Sequence, residues 1–524
     1  MADPAPIAAG WERASAVPAW RRILWALVLA LPLLWQLGGT PLFDVDEGAF
    51  SEATREMLAS GDWGHTTLNG DNRFDKPIGI YWLQATAATL FGFNEFSVRL
   101  PSALACWVMA LALAGFAARR WGERTGLLAG MLTVTTLGFQ MIGRASTADG
   151  LLNLLLVLAT LDAWRFIESE RKAPLRRTFA WVGLGLLVKG PIAILVPGAA
   201  VLVWCTGSRR WAPLRRALLD LPGWALLLAI AVPWYAYALH RHGMLFVEGF
   251  LLKHNVERFT GTIGGHAGSP LYFLVVLPLL ALPWTPLMVT VLARWRATWA
   301  DPLGRYLLGW SAFVVLFFSF ASTKLPHYVL YGHAPMVLLM ARALADASPR
   351  LRRVVAGGLF ATALLVTALP FLVLHFAPTV RDPFYRALLS GAPAPGWMPA
   401  ALFVLALGLL LAWRPVQSPS PLRLAGAGGA LALFIAGVVL PWFGEALQGP
   451  VRRAAAVAAS RPGTVAQWQL HLPSFAVYLQ RVSPKREPLP GDMVLTRADR
   501  LPPYDDSRMR LFEERGVVLL GPRR

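Results

Sequence analysis

The chain has 524 residues, of which 56% are hydrophobic and only 15% are charged. A soluble domain carries about 25% charged residues, so this composition excludes an ordinary soluble protein. The net charge is +19, but the basic residues fall in short loops between apolar runs. This is the positive-inside pattern of a membrane protein, and it predicts cytoplasmic loops that contact anionic membrane lipids, with no nucleic-acid partner.

Apolar runs of about 17–25 residues, long enough to cross a bilayer as a helix, recur along the chain. They predict spans near 22–40, 98–118, 125–141, 150–167, 220–238, 270–293, 305–321, 328–346, 353–376, 397–413 and 424–442. The segment 178–207 is too short for two full crossings, so two half-helices are predicted, with a turn at Lys189-Gly190-Pro191. The sequence therefore predicts an all-α polytopic membrane domain over 22–442 with about 13 membrane helices, preceded by a cytoplasmic N-terminus at 1–21.

Two soluble segments are predicted on the outer side. The first outer loop, 41–95, is unusually long, and ordered loops of such length commonly carry function. The tail at 443–524 alternates short apolar runs with Pro and Gly residues, which predicts a small external α/β C-terminal domain. The odd number of membrane helices places that domain outside.

Acidic residues stand at the head of two outer segments. Asp46 and Glu47 begin a stretch that has Phe50 and Met57 at helical spacing and stops at Ser60-Gly61, which predicts an amphipathic helix on the outer surface. Asp46 could cap this helix, act as a base, or do both. Asp149, at the head of a later span, allows the same two interpretations.

Basic residues are predicted on the same face. Lys76 follows Asp75, and Lys189 and Lys324 lie at the outer ends of apolar helices, where an ionisable group is costly and often functional. Each lysine could instead serve as an interfacial anchor. Together these residues suit a lipid-linked sugar phosphate, which needs cations for phosphate, an apolar groove for the prenyl chain and a carboxylate for the acceptor oxygen.

The order of the motifs resembles the family 39 glycosyltransferases, which include the aminoarabinose transferases of lipid A and, more distantly, the protein O-mannosyltransferases. The motifs are DEGAFSEATREMLASGDW, FDKPIGIYW, STADG, VKGP, HNVERF and STKLPHY. The resemblance covers residues 20–345 well. It implies a GT-C fold and inverting transfer of a sugar from polyprenyl (undecaprenyl) phosphate to an envelope acceptor, such as lipid A or a protein, on the periplasmic side of the bacterial inner membrane.

The resemblance also implies roles for the motif residues. Asp46 is expected to be the base or the group that orients the acceptor, with Asp149 as a second catalytic acid. The expected donor-phosphate ligands are Lys76, Lys189, Arg258 and Lys324, and the residues expected to line the site are Glu47, Tyr81, Asn255 and Tyr328. The resemblance leaves dependence on a divalent metal open, and Asp75 with His254 forms the candidate metal site.

Two positions depart from the family pattern. Asp75 replaces the Glu of the common FEKP segment, and Gly48 follows the Asp46-Glu47 pair where other residues are frequent. Both departures leave the fold intact and bear on the identity of the substrate.

A transporter or flippase of a lipid-linked sugar is the alternative function. Such a protein favours ionisable groups at the membrane midplane and paired broken helices in two inverted halves. Here the candidate charges cluster at one face and no inverted repeat is visible in the sequence, which favours the enzyme.

Overall fold

The structure is a computed structural model that describes residues 18–257, 268–412, 418–502 and 507–523, with 254–256 and 412 described by their backbone only. The described α-helices, in chain order, are Ala19–Leu34, Asp46–Ser60, Gly79–Phe91, Glu95–Trp121, Glu123–Thr135, Leu137–Gly143, Asp149–Ser169, Lys172–Lys189, Ile192–Ser208, Ala212–Leu218, Leu221–His242, Met244–Phe246, Tyr272–Leu280, Thr285–Ala293, Trp295–Ala300, Pro302–Phe320, His333–Ala345, Pro349–Phe376, Pro383–Ser390, Trp397–Ala412, Pro421–Phe434, Leu440–Ala459 and Pro473–Leu479. Short 3-10 helices cover Pro326–Gly332 and Ala377–Thr379, and π-helical turns cover Val247–Glu257 and Ile435–Val439.

The helical membrane architecture is confirmed. Within the described residues, 7 helices are long and apolar enough to cross a membrane, or up to 8 when one bent pair counts as a span. That pair, Glu123–Thr135 and Leu137–Gly143, is bent by 64°. Each predicted span coincides with a helix or a broken pair of helices, while the number of thirteen stays a prediction.

The predicted break at Lys189-Gly190-Pro191 is confirmed. One helix ends at Lys189 and the next begins at Ile192. Gly190 has a φ of +76°, a left-handed conformation that favours glycine, and a side chain here would overlap the ring of Phe250. The description as half-helices was wrong, because the two helices have 18 and 17 residues and each approaches the thickness of a bilayer.

The first outer loop is folded over its whole length. It contains the helix Asp46–Ser60, called here the outer-loop helix, a two-stranded hairpin of Thr67–Leu68 with Asp71–Asn72, and the helix Gly79–Phe91. The prediction that the outer-loop helix is amphipathic and lies on the surface was wrong, because every residue from 47 to 57 is buried. Polar side chains on it are satisfied inside the protein, as when Arg55 donates two hydrogen bonds to Glu52 at 2.8 and 2.6 Å.

The C-terminal segment forms the predicted α/β unit. Four strands lie side by side in the order Val465–Gln467, Met493–Arg497, Val517–Arg523 and Arg508–Glu514. The first pair is parallel and the other two pairs are antiparallel. Phe475, Leu495 and Leu519 are completely buried in its core. The helix Leu440–Ala459 runs through the predicted boundary at 443, and the sheet begins only at Val465.

Candidate active site

A cavity of about 290 Å³ lies where the outer loops meet the ends of the membrane helices. Its walls come from residues 43–47 at the start of the outer-loop helix, from the 141–149 segment, from Leu280 and from the 326–330 segment. Asp46 and Asp149, the two predicted catalytic acids, both line it. The tertiary structure therefore brings together the two acids that the sequence separates widely.

The Asp46 carboxylate is available for chemistry. Asp46 is the first residue of the outer-loop helix, and the capping position belongs to Val45, which makes no side-chain cap. Its side chain is exposed, and across the described ranges no hydrogen bond or ion pair engages it. Asp46 is therefore not a helix cap, and its carboxylate can accept a proton from a substrate in the cavity.

The Asp149 carboxylate is held in a network. Asp149 begins the helix Asp149–Ser169 without capping it, and its Oδ1 accepts hydrogen bonds from Lys189 Nζ at 2.5 Å and from the Tyr331 hydroxyl at 2.7 Å. Lys189 Nζ also donates to the Tyr331 hydroxyl at 2.7 Å and lies 5.5 Å from the rings of Tyr328 and Tyr331. His327 Nε2 lies 3.7 Å from the same carboxylate oxygen. The arrangement neutralises Asp149 and fixes the direction of the Lys189 ammonium group.

A second set of charges stands on the first outer loop. Asp75 accepts hydrogen bonds from Lys76 Nζ at 2.7 Å and from the Arg73 guanidinium at 3.1 Å. Arg73 Nε donates to the Tyr81 hydroxyl at 3.0 Å, and the Tyr81 ring stacks on Phe50 at 5.5 Å. Burial raises the pKa of the Tyr81 hydroxyl, so that hydroxyl stays neutral. Two cations share one carboxylate, which leaves this set with a net positive charge.

Both sets of charges influence one residue, His327. Its imidazole interacts electrostatically with four charged groups, which are Asp149, Lys189, Asp46 and Lys76. His327 in turn lines the cavity, as both acids do. The cavity thus lies in the electrostatic field of cations from the first outer loop and from the end of the broken helix.

Two of the predicted site residues use their charged groups in contacts within the protein. Lys324 is 6% exposed, and its ammonium group donates to the carbonyl of Ser319 at 2.7 Å and to that of Ala321, at the end of the helix Pro302–Phe320. Such a lysine satisfies helix carbonyls that have no partner within the helix. Lys76, Lys189 and Lys324 are all absent from the lining of the cavity, but Lys189 contacts Asp149, which lines it.

Glu47 lines the cavity, but its carboxylate is saturated. It accepts two hydrogen bonds from Arg99 at 2.8 Å each, and one each from the amides of Phe43 at 2.9 Å and Ser146 at 2.8 Å. Arg99 also donates to the carbonyls of Leu37, Thr40 and Pro41. Glu47 therefore joins the outer-loop helix to three other segments.

Three predicted residues lie outside the described part of the chain. They are Arg258 and the side chains of His254 and Asn255. Among the residues that the structure describes, no group of three or more His, Cys, Asp and Glu side chains is arranged to hold a metal ion. The metal site of Asp75 and His254 stays a prediction.

Sequence reasoning missed Arg73, His327 and Tyr331. Arg73 stands two residues before Asp75, where its pairing with Tyr81 has no local signal. Tyr328 and Tyr331 share one face because the segment Pro326–Gly332 is a 3-10 helix, which has three residues per turn. The PHYVLY segment at 326–331, where the span predicted near 328–346 begins, is the signal that was available.

The C-terminal domain contacts the loop that carries Asp46. Asp44 accepts hydrogen bonds from the amide of Ser474 at 2.9 Å and from its hydroxyl, and the Leu42 amide donates to the Tyr478 hydroxyl at 2.7 Å. Burial raises the pKa of Asp44 to about 7, although the hydrogen bonds from Ser474 lower it. The position of Asp46 therefore depends on a domain more than 400 residues further along the chain.

Comparison with known proteins shows similarity to sugar transferases. A family model described as dolichyl-phosphate-mannose-protein mannosyltransferase matches residues 75–237. The undecaprenyl phosphate-alpha-4-amino-4-deoxy-L-arabinose arabinosyl transferase of Erwinia tasmaniensis is 30% identical over 428 residues, which cover 78% of this chain and 76% of that protein. The protein of the same name from an Enterobacter species is 31% identical, and the match spans 61% of this chain and 57% of the relative's length.

A solved structure has the same fold. The crystal structure of ArnT from Cupriavidus metallidurans bound to undecaprenyl phosphate matches with a TM-score of 0.80, covering 96% of this chain and 98% of that one. The sequence identity over this match is 22%. The similarity extends over the membrane helices and the C-terminal domain alike.

Proposed function

Since this chain belongs to the family 39 glycosyltransferases, together with the aminoarabinose transferases, we propose that it transfers a sugar from undecaprenyl phosphate to lipid A. The proposed donor sugar is 4-amino-4-deoxy-L-arabinose, which the names of the relatives specify. The chain is a membrane-embedded glycosyltransferase of the GT-C fold, and the substrates are the proposed part of this function.

The observation that carries the proposal is one cavity lined by two carboxylates that differ in their contacts. Asp46 has no hydrogen-bond or ion-pair partner among the described residues, whereas Asp149 binds Lys189 at 2.5 Å. Lys76 and Lys189 both interact electrostatically with His327, which also lines the cavity. A phosphate-linked sugar places its leaving group against cations and its anomeric carbon near the acceptor, which this arrangement matches. Asp46 therefore lies on the acceptor side and the lysines on the donor side.

The transfer step follows from these positions. The acceptor oxygen attacks the anomeric carbon while Asp46 orients that oxygen and takes its proton where it carries one. The bond between the anomeric carbon and the phosphate oxygen breaks, and undecaprenyl phosphate leaves with the electron pair. Lys76 and Lys189 stabilise the negative charge on the leaving phosphate. A single displacement inverts the configuration at the anomeric carbon.

Asp149 serves as a positioning residue in this proposal. The Lys189 ammonium group has three N–H donors, and it uses two of them on Asp149 and Tyr331. The third donor is then aimed by these two contacts toward the donor phosphate. The proposed role of Asp149 is thus to hold Lys189, whereas Asp46 acts on the acceptor.

The proposed location is the bacterial inner membrane. We place residues 1–21 in the cytoplasm, the membrane domain at 22–442, and the C-terminal domain at 443–524 in the periplasm. The support is the position of the basic residues, because Arg120, Arg177 and Arg216 lie on segments at the helix ends opposite the cavity.

The test is a transfer assay with the purified full-length chain in proteoliposomes. The donor is undecaprenyl-phosphate-linked aminoarabinose, the acceptor is lipid A, and mass spectrometry measures the gain of one sugar. Asp46→Asn should lower the rate by about 10²-fold or more, the typical contribution of a general base. Asp71→Asn, on the exposed hairpin of the same loop, is the matched control and should leave the rate unchanged.

Two results would contradict the proposal. A fully active Asp46→Asn variant would remove Asp46 from the reaction. Donor movement between the two leaflets without any sugar-bearing product would favour the flippase.

A further inference from the structure

A second cavity, of about 630 Å³, lies at the opposite end of the membrane helices from the candidate active site. The element Pro326–Ala345 connects the two cavities, because His327 lines the first while Leu339 and Arg342 line the second. About 25 Å of helix separates His327 from Arg342. No role in sugar transfer follows from the second cavity, so it needs its own explanation.

Three arginines line this cavity, and each comes from a different segment. They are Arg294, Arg342 and Arg350. Within the described part of the chain none of them forms an ion pair with an acid, whereas neighbouring arginines at this end of the molecule do. The paired ones include Arg120 with Glu168 at 2.9 Å, Arg177 with Asp162 at 2.9 Å and Arg216 with Glu170 at 2.5 Å.

The acids of the cavity do not cancel this charge. Asp301 and Asp346 also line it, which leaves three positive charges against two negative ones. The Asp301 carboxylate is already committed, because it accepts a hydrogen bond from the amide of Gly304 at 2.8 Å and caps the helix Pro302–Phe320. The helix Pro349–Phe376 begins at the rim, and its N-terminal dipole adds positive potential.

The remaining wall of the cavity is aliphatic. Val291, Leu339, Leu351 and Val354 contribute it. A site of this size that combines arginines with aliphatic side chains suits an amphiphile. Its place at the ends of the spanning helices corresponds to the headgroup level of a bilayer. A soluble anion would leave the aliphatic wall in contact with water.

We propose that this cavity is a binding site for the headgroup of an anionic phospholipid, with Arg294, Arg342 and Arg350 around the phosphate. The lipid enters from the leaflet opposite the candidate active site. It joins the loop at Arg294 to the ends of two spanning helices, and so stabilises the packing of the helix whose other end carries His327.

The test uses the full chain in nanodiscs that contain equal parts of phosphatidylglycerol and phosphatidylcholine. Native mass spectrometry after detergent release counts the lipids that remain bound. The wild-type protein should retain phosphatidylglycerol in preference to phosphatidylcholine, and Arg294→Gln/Arg350→Gln should lower that preference about tenfold. The control is Arg120→Gln/Arg216→Gln, which removes the same charge from paired arginines at the same end and should keep the preference.

Further arms separate the alternatives. Arg294→Lys/Arg350→Lys keeps the charge and should keep phosphatidylglycerol bound, and Arg350→Gln alone decides the same question if the double variant does not fold. An equal loss of the phosphatidylglycerol preference in the control variant would show a general effect of charge and would contradict a specific site at this cavity. Release of the lipid by millimolar inorganic phosphate in the wild-type protein would overturn the lipid assignment in favour of a free phosphate.

Discussion

At the scale of single residues, the candidate active site is defined by which charges have partners. Asp149 and Lys189 are each about one-tenth exposed and lie 2.5 Å apart, so both lose most of their hydration and depend on one another. Asp46 has no such partner within the described residues and remains exposed. The contrast supports the proposed roles, which are positioning for Asp149 and proton transfer for Asp46.

Removal of one partner of the buried pair should lower the stability of the protein more than removal of both. Lys189→Met leaves the Asp149 carboxylate buried without a cation, which should cost about 3–5 kcal/mol. Lys189→Met/Asp149→Asn should recover much of that loss in melting temperature, while transfer activity stays low in both variants. The exposed Lys172→Met serves as control. A single variant as stable as the wild type would show that solvent, and not Lys189, compensates Asp149.

Asp44 should make stability depend on pH near neutrality. Burial raises its pKa from 3.8 to about 7, so the folded protein binds this proton more tightly than the unfolded chain does. The resulting contribution to stability is complete below pH 3.8 and is lost as the pH rises through 7. Between pH 6 and pH 8 the loss should be about 1 kcal/mol.

The measurement compares melting temperatures at pH 6 and pH 8 for the wild-type protein and for Asp44→Asn. The amide keeps the shape of the carboxyl group but does not titrate, so the variant should lose less stability between the two pH values. Asp71→Asn should behave as the wild type. An identical decrease in all three proteins would exclude Asp44 as the titrating group.

At the scale of elements, the outer-loop helix is a junction. It packs against the helix Gly79–Phe91 on one side and against Pro473–Leu479 of the C-terminal domain on another. A close approach occurs at Gly48, where a Cβ atom would overlap the Asp44 carboxylate and the amide nitrogen of Ser474. A departure from the family pattern at Gly48 thus coincides with a contact between domains.

Gly48→Ala should weaken this junction. The added methyl group must displace Asp44 or the backbone at Ser474, and overpacking of this kind costs about 1–3 kcal/mol. Gly426→Ala, in the helix Pro421–Phe434 with open space around the site, should be neutral or slightly stabilising because alanine favours helix. Limited proteolysis of the C-terminal domain measures the difference, and equal protection of the two variants would contradict the close approach.

At the scale of the whole molecule, the candidate site lies at one end of the helical domain and the basic loops lie at the other. The C-terminal domain covers the loop next to Asp46 through Ser474 and Tyr478.

Chemical labelling should verify this orientation. The two native cysteines, Cys106 and Cys205, are buried, so background labelling should be low. A membrane-impermeant maleimide should label Ser460→Cys, in the C-terminal domain, when it is added to spheroplasts. Lys172→Cys, at the other end, should react only after the membrane is opened. The reverse order would invert the proposed topology.

The sequence by itself was sufficient for features that depend on local chemistry. Runs of apolar residues located the spans, because a helix must satisfy its own backbone in lipid. Gly190 and Pro191 marked the break between two of them, and the alternation of short apolar runs after 443 indicated the α/β domain. The motif residues Asp46, Asp149 and Lys189 were likewise identified from residue type and position along the chain.

Only the tertiary structure decided which contacts each charged residue makes. Lys189 and Lys324 look alike in sequence, yet one contacts Asp149, which lines the cavity, while the other binds the carbonyls at the end of a helix. Glu47 adjoins Asp46, but Arg99 occupies its carboxylate. The outer-loop helix has a surface pattern and is nonetheless buried. These outcomes depend on contacts between residues far apart in the chain, and the free energy of a buried charge is set by the partner that packing places beside it.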